Sequence, residues 1–351
     1  MNLYPLFFSP IYIEKIWGSQ RLKKIYNRSI PNKKIGESWE ISDRPEANSQ
    51  VINGELSGYN LSQLINSCGE KIIGCNSKNN SYDKFPLLFK ILTPGSKLSV
   101  QVHPDQVVAE LFNDESKTEM WYILDAKPGA KIIYGLKNRD INRQELIESV
   151  KKRDLVKYLN YHSVTTGDVI FLQPGMIHAL LEGVTVAEIQ QNSDTTYRLY
   201  DWERKRRELH LDRAKKAIKV KLNPDQKTKV LKWTDEKDNY WHLLSACPEF
   251  TSYKILLENS CFLRPKKLNS FIIMFCEKGK VNIKYKNKDY LLETGRTCLL
   301  PACLSEVKIK GQAKLLLFKK GSDLQELKKL VTKQGLSPDI LSFIPGVNLY
   351  D

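Results

Sequence analysis

The stretch Gly95-Ser-Lys-Leu-Ser-Val-Gln-Val-His-Pro104 decides how the rest of the chain is interpreted. Polar and apolar residues alternate along it, as they do in a β-strand that has one buried face. The polar face carries Ser99, Gln101 and His103, and the last two lie two residues apart. At that spacing an amide oxygen and an imidazole nitrogen can reach one point. A strand inside a barrel presents metal ligands in this way.

The composition is that of a globular protein large enough for two domains. The chain has 351 residues, of which 41% are hydrophobic and 27% charged, and such a length can bury two full cores. No apolar run approaches the roughly 20 residues of a membrane-spanning helix. Residues 1–18 contain prolines and no basic segment, so we expect no signal peptide. Seven cysteines, an odd number without CxxC pairs, favour reduced thiols and a cytoplasmic protein.

The net charge of +15 admits two interpretations. A basic protein can bind nucleic acid or an anionic substrate. Here the lysines are spread along the chain, and no helix-turn-helix, zinc-finger or RNP pattern accompanies them. We therefore interpret most of them as surface lysines and expect neither a nucleic-acid nor a membrane partner.

Two glycine-framed spacings contain four polar residues that could bind a metal ion. In the first, Gly95 precedes the Gln-x-His pair by five residues, and a glutamate follows on the next predicted strand. In the second, Gly167 is followed by seven residues, Gly175, two residues and a histidine. A single strand histidine is more often a hydrogen-bonded core residue, but the mixed set suits a divalent ion such as zinc. The candidate ligands are Gln101, His103, Glu119 and His178.

These two frames resemble the cupin motifs G-x5-H-x-H…E and G-x5-P-x-G-x2-H. Gln101 replaces the first histidine, Pro174 comes one residue late, and the gap between His103 and Glu119 is longer than usual. With Gln-x-His-Pro followed by Lys117-Thr-Glu-x-Trp-Tyr122, the chain resembles the short bacterial branch of the type I mannose-6-phosphate isomerases. Further segments carry the resemblance over most of the first 240 residues: Gly36-Glu-Ser-Trp-Glu-Ile-Ser42, Pro86-Leu-Leu-Phe-Lys-Ile-Leu92 and Pro174-Gly-Met-Ile-His-Ala179.

The resemblance implies a metal-dependent aldose–ketose isomerase that interconverts D-mannose 6-phosphate and D-fructose 6-phosphate through a cis-enediol. It implies one Zn²⁺, or another divalent ion, on the four candidate ligands. The family's essential arginine matches Arg198. Glu188 and Lys117 are both candidates for the general base, and the sequence does not choose between them. A buried ion pair is the alternative interpretation of Arg198 and Glu188.

Three further residues match substrate-binding positions of that family. Ser99 and Lys90 match positions that face the substrate, and Arg204 is a looser match that would add positive charge for the phosphate group. Lys90 could equally be a surface lysine on an alternating strand. The implied partner is a phosphorylated hexose, and both a monomer and a homodimer remain open.

Two other functions stay possible at this stage. A different metal-dependent cupin enzyme, such as an iron oxygenase, could use the same pocket, although the glutamine ligand together with Lys117 and Arg198 argues against it. A non-catalytic sugar-phosphate-binding cupin is the second alternative. Loss of a ligand or of the arginine would have indicated it, and neither is lost.

The expected fold is mainly β, with two cupin-like jelly-roll barrels, small helical insertions and a short helical C-terminus. We expect a catalytic metal-binding domain at residues 1–240, a degenerate cupin-like domain without metal ligands at 241–321, and a helical tail at 322–351. Gly295, Pro301, Cys303 and Glu306 repeat the second cupin frame, with cysteine replacing glycine and glutamate replacing histidine.

Two helices are predicted from their capping residues. One begins at Asp140 and runs to about Leu159. The other follows a capping box that starts at Ser322, and it ends at Gly335.

Overall fold

The computed structural model describes residues 1–75, 83–137, 140–205, 207–222 and 230–350. Over these residues the strands form four sheets, of nine, five, six and two strands, and the predicted mainly β fold is confirmed. No helix in these ranges is both long enough and apolar enough to cross a membrane.

The strands in the first half are β1 (Leu6–Phe7), β2 (Ile11–Ser19), β3 (Ile35–Ile41), β4 (Asp43–Arg44), β5 (Ala47–Asn48), β6 (Leu87–Leu92), β7 (Val100–Val102), β8 (Glu119–Ala126), β9 (Lys131–Leu136), β10 (Leu159–Ser163), β11 (Val169–Leu172), β12 (His178–Leu180), β13 (Val184–Gln191) and β14 (Tyr197–Tyr200). Those in the second half are β15 (Leu231–Thr234), β16 (Tyr240–Ala246), β17 (Phe250–Leu257), β18 (Ser260–Leu263), β19 (Ile272–Tyr285), β20 (Lys288–Glu293), β21 (Thr297–Leu300) and β22 (Val307–Lys320). The helices are α1 (Arg21–Tyr26), α2 (Leu61–Ile73), α3 (Gln106–Leu111), α4 (Arg143–Lys151), α5 (Leu211–Ala217), α6 (Pro265–Leu268) and α7 (Leu324–Lys333). Short 3₁₀ turns cover Gly54–Leu56, Leu155–Lys157, Pro338–Phe343 and Val347–Leu349.

The chain forms two compact units, each built from separate parts of the sequence. One contains the described residues of 1–11, 39–89 and 227–351, and the other those of 12–38 and 90–226. The grouping of N-terminal segments with the second half has a direct cause, because β1 pairs with β21 and the ring of Phe89 packs against Phe275 and Phe318. These units differ from the sequential domains expected from the sequence, whose boundaries stay a prediction.

The unit of residues 12–38 and 90–226 contains the predicted site. Its five-stranded sheet has the order β10-β9-β12-β7-β14, and the six-stranded sheet has the order β11-β8-β13-β6-β3-β2. One core cluster joins side chains of both sheets, including Trp121, Ile132 and Leu180. A second cluster packs Val100 and Val102 of β7 against helices α4 and α5. The apolar side of β7 is therefore covered by helices, which leaves its polar side to the site.

The unit that includes residues 227–351 is built on the nine-stranded sheet. Its strand order is β1-β21-β19-β22-β17-β16-β15, with β18 and β20 attached to β22 and β19. Helix α7 packs Leu327 and Val331 against a cluster that contains Leu243. The short helical C-terminus is confirmed, but its N-cap is Asp323, whose side chain accepts a hydrogen bond from the backbone N–H of Glu326. The predicted start of the capping box at Ser322 is therefore wrong by one residue.

The helix predicted to begin at Asp140 is also shorter than expected. Its N-cap is Asn142, which forms a reciprocal capping box with Glu145 at 2.9 and 3.0 Å. The helix ends at Lys151, because Arg153 adopts a left-handed backbone with φ of 59°. The residues up to Leu159 then form a 3₁₀ turn and the start of β10. The apolar spacing continued through the turn, which made the helix look longer.

Candidate active site

Three predicted site residues lie side by side on the neighbouring strands β12, β7 and β14 of the five-stranded sheet. Gln101 lies directly opposite His178 of β12 on one side and opposite Arg198 of β14 on the other. Directly opposed residues in antiparallel strands project to the same face. The side chains of these three residues therefore leave the sheet together.

His103, Glu119 and His178 converge on one buried point. One ligand atom from each lies within 4.8 Å of the other two. The carboxylate oxygens of Glu119 are 3.3 Å from Nε2 of His178 and 3.5 Å from Nε2 of His103. The amide Nε2 of Gln101 lies 3.3 Å from Nε2 of His178. A half-turn of that amide would direct its oxygen to the same place.

Backbone carbonyls orient both imidazole rings. Nδ1 of His103 is 2.9 Å from the carbonyl oxygen of Thr195, and Nδ1 of His178 is 2.9 Å from that of Met176. Each Nδ1–H donates to its carbonyl, so each Nε2 keeps a lone pair that faces Glu119. Burial lowers the pKa of His178, and burial together with the charge of Lys117 lowers the pKa of His103 to about 3. Both rings are neutral at pH 7.

The unpaired atoms at this point fit a divalent cation. Among the described residues, Nε2 of His103 and Oε1 of Glu119 are buried without a hydrogen-bond partner, and the other carboxylate oxygen of Glu119 faces the ammonium of Lys117 at 2.9 Å. Buried polar atoms are normally hydrogen-bonded, and leaving several unpaired is costly. Neutral imidazole nitrogens beside a carboxylate form a donor set that binds zinc and similar ions. The donors alone do not select one metal.

Lys117 provides the positive charge closest to Glu119. Its Nζ lies 2.9 Å from Oε2 of Glu119. Burial alone would lower the pKa of Lys117, but the charges of Glu119 and Glu188 raise it above its ordinary value. Burial alone would raise the pKa of Glu119, but Lys117 and the histidines hold it well below its usual range. The pair is therefore an ammonium and a carboxylate at pH 7.

Glu188 lies in a second group of buried polar side chains, beside the candidate metal ligands. Its Oε2 accepts a hydrogen bond of 2.8 Å from the indole N–H of Trp121, which is directly opposite on β8. Its Oε1 is 4.0 Å from Nζ of Lys90. Burial, together with the charge of Glu119, raises the pKa of Glu188 to about 7.

Lys90 is buried, so its interpretation as a surface lysine is wrong. Only 4% of its side chain is exposed, and its Nζ lies 3.6 Å from Glu37 and 3.8 Å from Asp194. Glu37 also pairs with Lys15 at 3.2 Å. Glu37 was not among the predicted residues, although its segment was part of the family resemblance. No local signal pointed to this contact, because Glu37 and Lys90 lie in distant segments of the sequence.

Ser99 and the predicted arginines surround the ligands less closely. Ser99 is buried, and its Oγ is 3.5 Å from Oε1 of Gln101. Arg198 donates through Nη1 to the carbonyl oxygen of Glu208 at 2.7 Å, while its buried Nε has no hydrogen-bond partner in the part of the chain that the structure describes. Burial and the charge of Arg207 lower the pKa of Arg198. In the described part of the chain, Arg198 and Glu188 do not pair with each other.

Arg204 is held by a carboxylate. Its Nη2 donates to Oδ1 of Asp201 at 2.7 Å and to the carbonyl oxygen of Lys97 at 2.9 Å. Arg207 binds the same carboxylate, with 2.9 Å between its Nε and Oδ2 of Asp201. The guanidinium of Arg204 therefore already has an anionic partner.

Comparisons with known proteins identify the family to which this chain belongs. Residues 6–132 match the model of the phosphomannose isomerase type I catalytic domain, and residues 242–319 match that of the mannose-6-phosphate isomerase cupin domain. Mannose-6-phosphate isomerase ManA of Bacillus subtilis is 33% identical over 324 residues, which cover 90% of this chain and 99% of that protein. The chain belongs to the type I phosphomannose isomerase family.

Two further comparisons indicate the same family. The mannose-6-phosphate isomerase of Streptococcus mutans is 32% identical over 318 residues, with 89% of this chain and 97% of that protein covered. A crystal structure of the mannose 6-phosphate isomerase from Bacillus subtilis superposes with a TM-score of 0.81 at 31% identity, covering 90% of this chain and 99% of that one. The prediction of an aldose–ketose isomerase with cupin architecture is confirmed over the two alternatives.

Proposed function

We propose that this isomerase interconverts D-mannose 6-phosphate and D-fructose 6-phosphate with one zinc ion held by Gln101, His103, Glu119 and His178. The observation that carries the proposal is the buried convergence of ligand atoms from His103, Glu119 and His178. Among the described residues, Nε2 of His103 and Oε1 of Glu119 have no hydrogen-bond partner. Membership of the phosphomannose isomerase family supports the substrate. The reduced cysteines expected from the sequence support a cytoplasmic enzyme.

The chemical difficulty is the removal of a proton from a carbon next to a carbonyl group. A bound divalent ion would act as a Lewis acid that stabilises negative charge on the neighbouring oxygens. Lys117 and Arg198 would add fixed positive charge to the same region, where preorganised groups are most effective. Arg198 is suited to this role because its buried Nε has no hydrogen-bond partner among the described residues.

We propose Glu188 as the general base in preference to Lys117. The ammonium of Lys117 lies 2.9 Å from the Glu119 carboxylate, which holds its proton in place. Glu188 is fixed through one oxygen by Trp121, and its other oxygen is 4.0 Å from the nearest ammonium. A base works best when its pKa is close to the operating pH, and that of Glu188 is raised to about 7.

Ser99, Lys90 and Arg204 are our proposed substrate contacts. The hydroxyl of Ser99 lies beside the Gln101 amide and could donate to a sugar or phosphate oxygen. Lys90 and Arg204 each have carboxylate neighbours, so each would exchange a protein partner for the phosphate. Charge-assisted hydrogen bonds of this kind are strong enough to compete.

A coupled assay with mannose 6-phosphate tests the proposal. The protein is assayed as purified, after EDTA treatment, and after addition of zinc, with its metal content measured at each stage. We expect turnover to disappear with the metal and to return with zinc. Absence of turnover in metal-replete protein that still binds mannose 6-phosphate would contradict the proposal and indicate a non-catalytic binding protein.

A further inference from the structure

A cavity of about 900 Å³ lies under helix α7, in the unit built on the nine-stranded sheet. It is lined by one stretch of that sheet, from β15 across β16, β17 and β22 to β19, and by one side of α7. None of the residues of the proposed isomerase site lines it. The helical tail, whose role the sequence did not indicate, supplies one of its walls.

Lys319 lies in the lining of this cavity and is almost fully buried. It is opposite Thr251 of β17 and Ile272 of β19, so all three side chains share a face of the sheet. The exposed fraction of Lys319 is 7%. Its Nζ donates to Oγ of Ser322 at 2.7 Å and to the carbonyl oxygen of Lys320 at 3.3 Å.

The ammonium of Lys319 is incompletely satisfied by the described residues. A lysine ammonium has three N–H donors, and the two hydrogen bonds leave one of them without a protein acceptor. Glu326 and Asp323 influence it from a distance, but neither lies within ion-pair range. Burial lowers its pKa to about 8. A buried cation without a paired anion is unfavourable, and an anionic ligand would relieve that cost.

Three aromatic side chains form the adjoining wall. The rings of Trp233 and Trp241 are stacked, with centroids 6.0 Å apart and planes inclined by 10°. The ring of Tyr253 stands edge-on to both, at 6.4 Å. Leu317 and Ile272 continue the apolar surface. Such a wall suits the planar or apolar body of a small molecule.

Cationic side chains outnumber acidic ones around the cavity. Of the three acids in the lining, Asp235 is already bound by the indole N–H of Trp241 and by Asn239. The remaining acids are Glu236 and Glu326. The cations besides Lys319 are Lys237, Lys267, Lys329, Lys333 and Arg264, and the last of these is already paired with Glu306. The excess of positive charge favours a ligand with more than one negative charge.

We propose that this cavity binds a small organic phosphate, with its phosphate group on Lys319 and its body against Trp233, Trp241 and Tyr253. The inference does not depend on the proposed isomerase reaction. It gives the tail a function, because α7 encloses the ligand between its cationic side and the sheet.

Calorimetric titration of the full-length, zinc-loaded protein with phenyl phosphate tests this site. Inorganic phosphate and phenol serve as probes of the head group and the body alone. The variants are Lys319→Met, Lys319→Arg and Trp233→Leu, with Lys314→Met as the matched control, because Lys314 is an exposed lysine on the same strand. Isomerase turnover and the far-ultraviolet circular dichroism spectrum are measured on the same preparations.

We expect phenyl phosphate to bind more tightly than either partial probe. Lys319→Met should weaken it at least tenfold without changing turnover, while Lys319→Arg and Lys314→Met retain it. Trp233→Leu should reduce the advantage of phenyl phosphate over inorganic phosphate, which keeps the test valid if Lys319→Met does not fold. No saturable binding, or binding that is unchanged in both Lys319→Met and Trp233→Leu, would overturn the proposal. Unchanged binding in those variants would place the phenyl phosphate in the isomerase site.

Discussion

The two halves of the chain share one glycine-framed spacing, but the residue that ends it is buried in the first half and half exposed in the second. In the first half, the frame that starts at Gly167 ends at His178, whose side chain is 1% exposed and faces Glu119 at 3.3 Å. In the second half, the frame that starts at Gly295 ends at Glu306, whose side chain is 46% exposed and pairs with Arg264 at 2.8 Å. A shared frame therefore fixes the turn but not the chemistry of the residue that follows it.

The interiors of the two units also differ in the side chains that they bury around the compared residues. Buried charged groups fill the site region of one unit, and among the described residues Nε2 of His103 and Oε1 of Glu119 have no hydrogen-bond partner. The other unit places phenylalanine rings in contact, with centroids 4.9 Å apart for Phe89 and Phe318 and 5.7 Å apart for Phe89 and Phe275. The buried polar atoms of the site carry a cost that a bound ion would relieve, whereas the contacts among these phenylalanine rings are stabilised by packing.

Removal of a histidine from the first frame should have the largest effect. We expect His103→Ala to lose bound metal and at least about 1,000-fold in kcat/KM, because a buried ligand disappears while the surrounding core remains. Metal analysis, turnover and circular dichroism on one preparation check this result. Near-normal turnover in a folded variant would remove His103 from the metal site.

Truncation of a packed ring in the other unit should affect stability instead. Phe318→Ala should lower the free energy of unfolding by about 3–5 kcal/mol, the usual cost of emptying a buried phenylalanine site. At a temperature where the variant is folded, kcat should stay within a few-fold of wild type. Urea unfolding and the coupled assay measure both, and a loss of metal affinity in the folded variant would speak against the division of roles.

Substitution of Arg198 should lower turnover, whereas substitution of Arg264 in the second half should not. Arg198→Ala should lower kcat by about 100-fold with metal retained, since one fixed charge near a developing oxyanion is lost. Arg264→Ala is the matched control, because Arg264 is half exposed and already paired with Glu306. If Arg198→Ala raises only KM, Arg198 binds the substrate without stabilising the transition state.

The buried carboxylate of Glu188 should give the metal-free protein a distinctive pH dependence. Its pKa rises from 4.5 to about 7 on folding, so its stabilising contribution is complete below pH 4.5 and is lost as the pH passes through 7. The difference in unfolding free energy between wild type and Glu188→Gln should fall by on the order of 2 kcal/mol from pH 5 to pH 8.

The lowered histidine pKa values act in the opposite direction, but they are common to both proteins and cancel in that difference. Glu306→Gln serves as the control, because its side chain is half exposed and paired. Urea unfolding at several pH values provides the data. A constant difference between wild type and Glu188→Gln would show that Glu188 keeps an ordinary pKa.

The smallest effect should come from the frame that starts at Gly295. Glu306→Ala should change the unfolding free energy by less than about 1 kcal/mol, as expected for an exposed ion pair. Metal content and turnover should match wild type. Any loss of bound metal in this variant would reveal a ligand role for the frame at Gly295.

The predicted metal ligands depended on features that a sequence displays directly. Alternation along β7 placed Gln101 and His103 on one face, and the structure brings His103, Glu119 and His178 together. The partners of Lys90 could not be predicted, because Glu37 and Asp194 reach it from distant segments. No local pattern distinguishes a lysine at the surface from one neutralised by remote carboxylates.

Boundaries and domain composition were harder for related reasons. Asp140 and Asn142 are both residue types that favour an N-cap. The helix begins at Asn142 because Glu145, three residues later, completes a capping box with it. The contacts of residues 1–11 and 39–89 with the second half depend on long-range pairing, such as Leu6 with Leu299. Sequence order alone favoured contiguous domains.

The most direct test of this account is the number of zinc ions bound per chain. Metal-free protein is titrated with zinc, and the bound metal is measured by mass spectrometry for wild type, His178→Ala and Glu306→Ala. We expect one tightly bound ion in wild type and in Glu306→Ala, and none in His178→Ala. A tight ion that persists in His178→Ala, or disappears in Glu306→Ala, would contradict the claim that the frames at Gly95 and Gly167 build the metal site without the frame at Gly295.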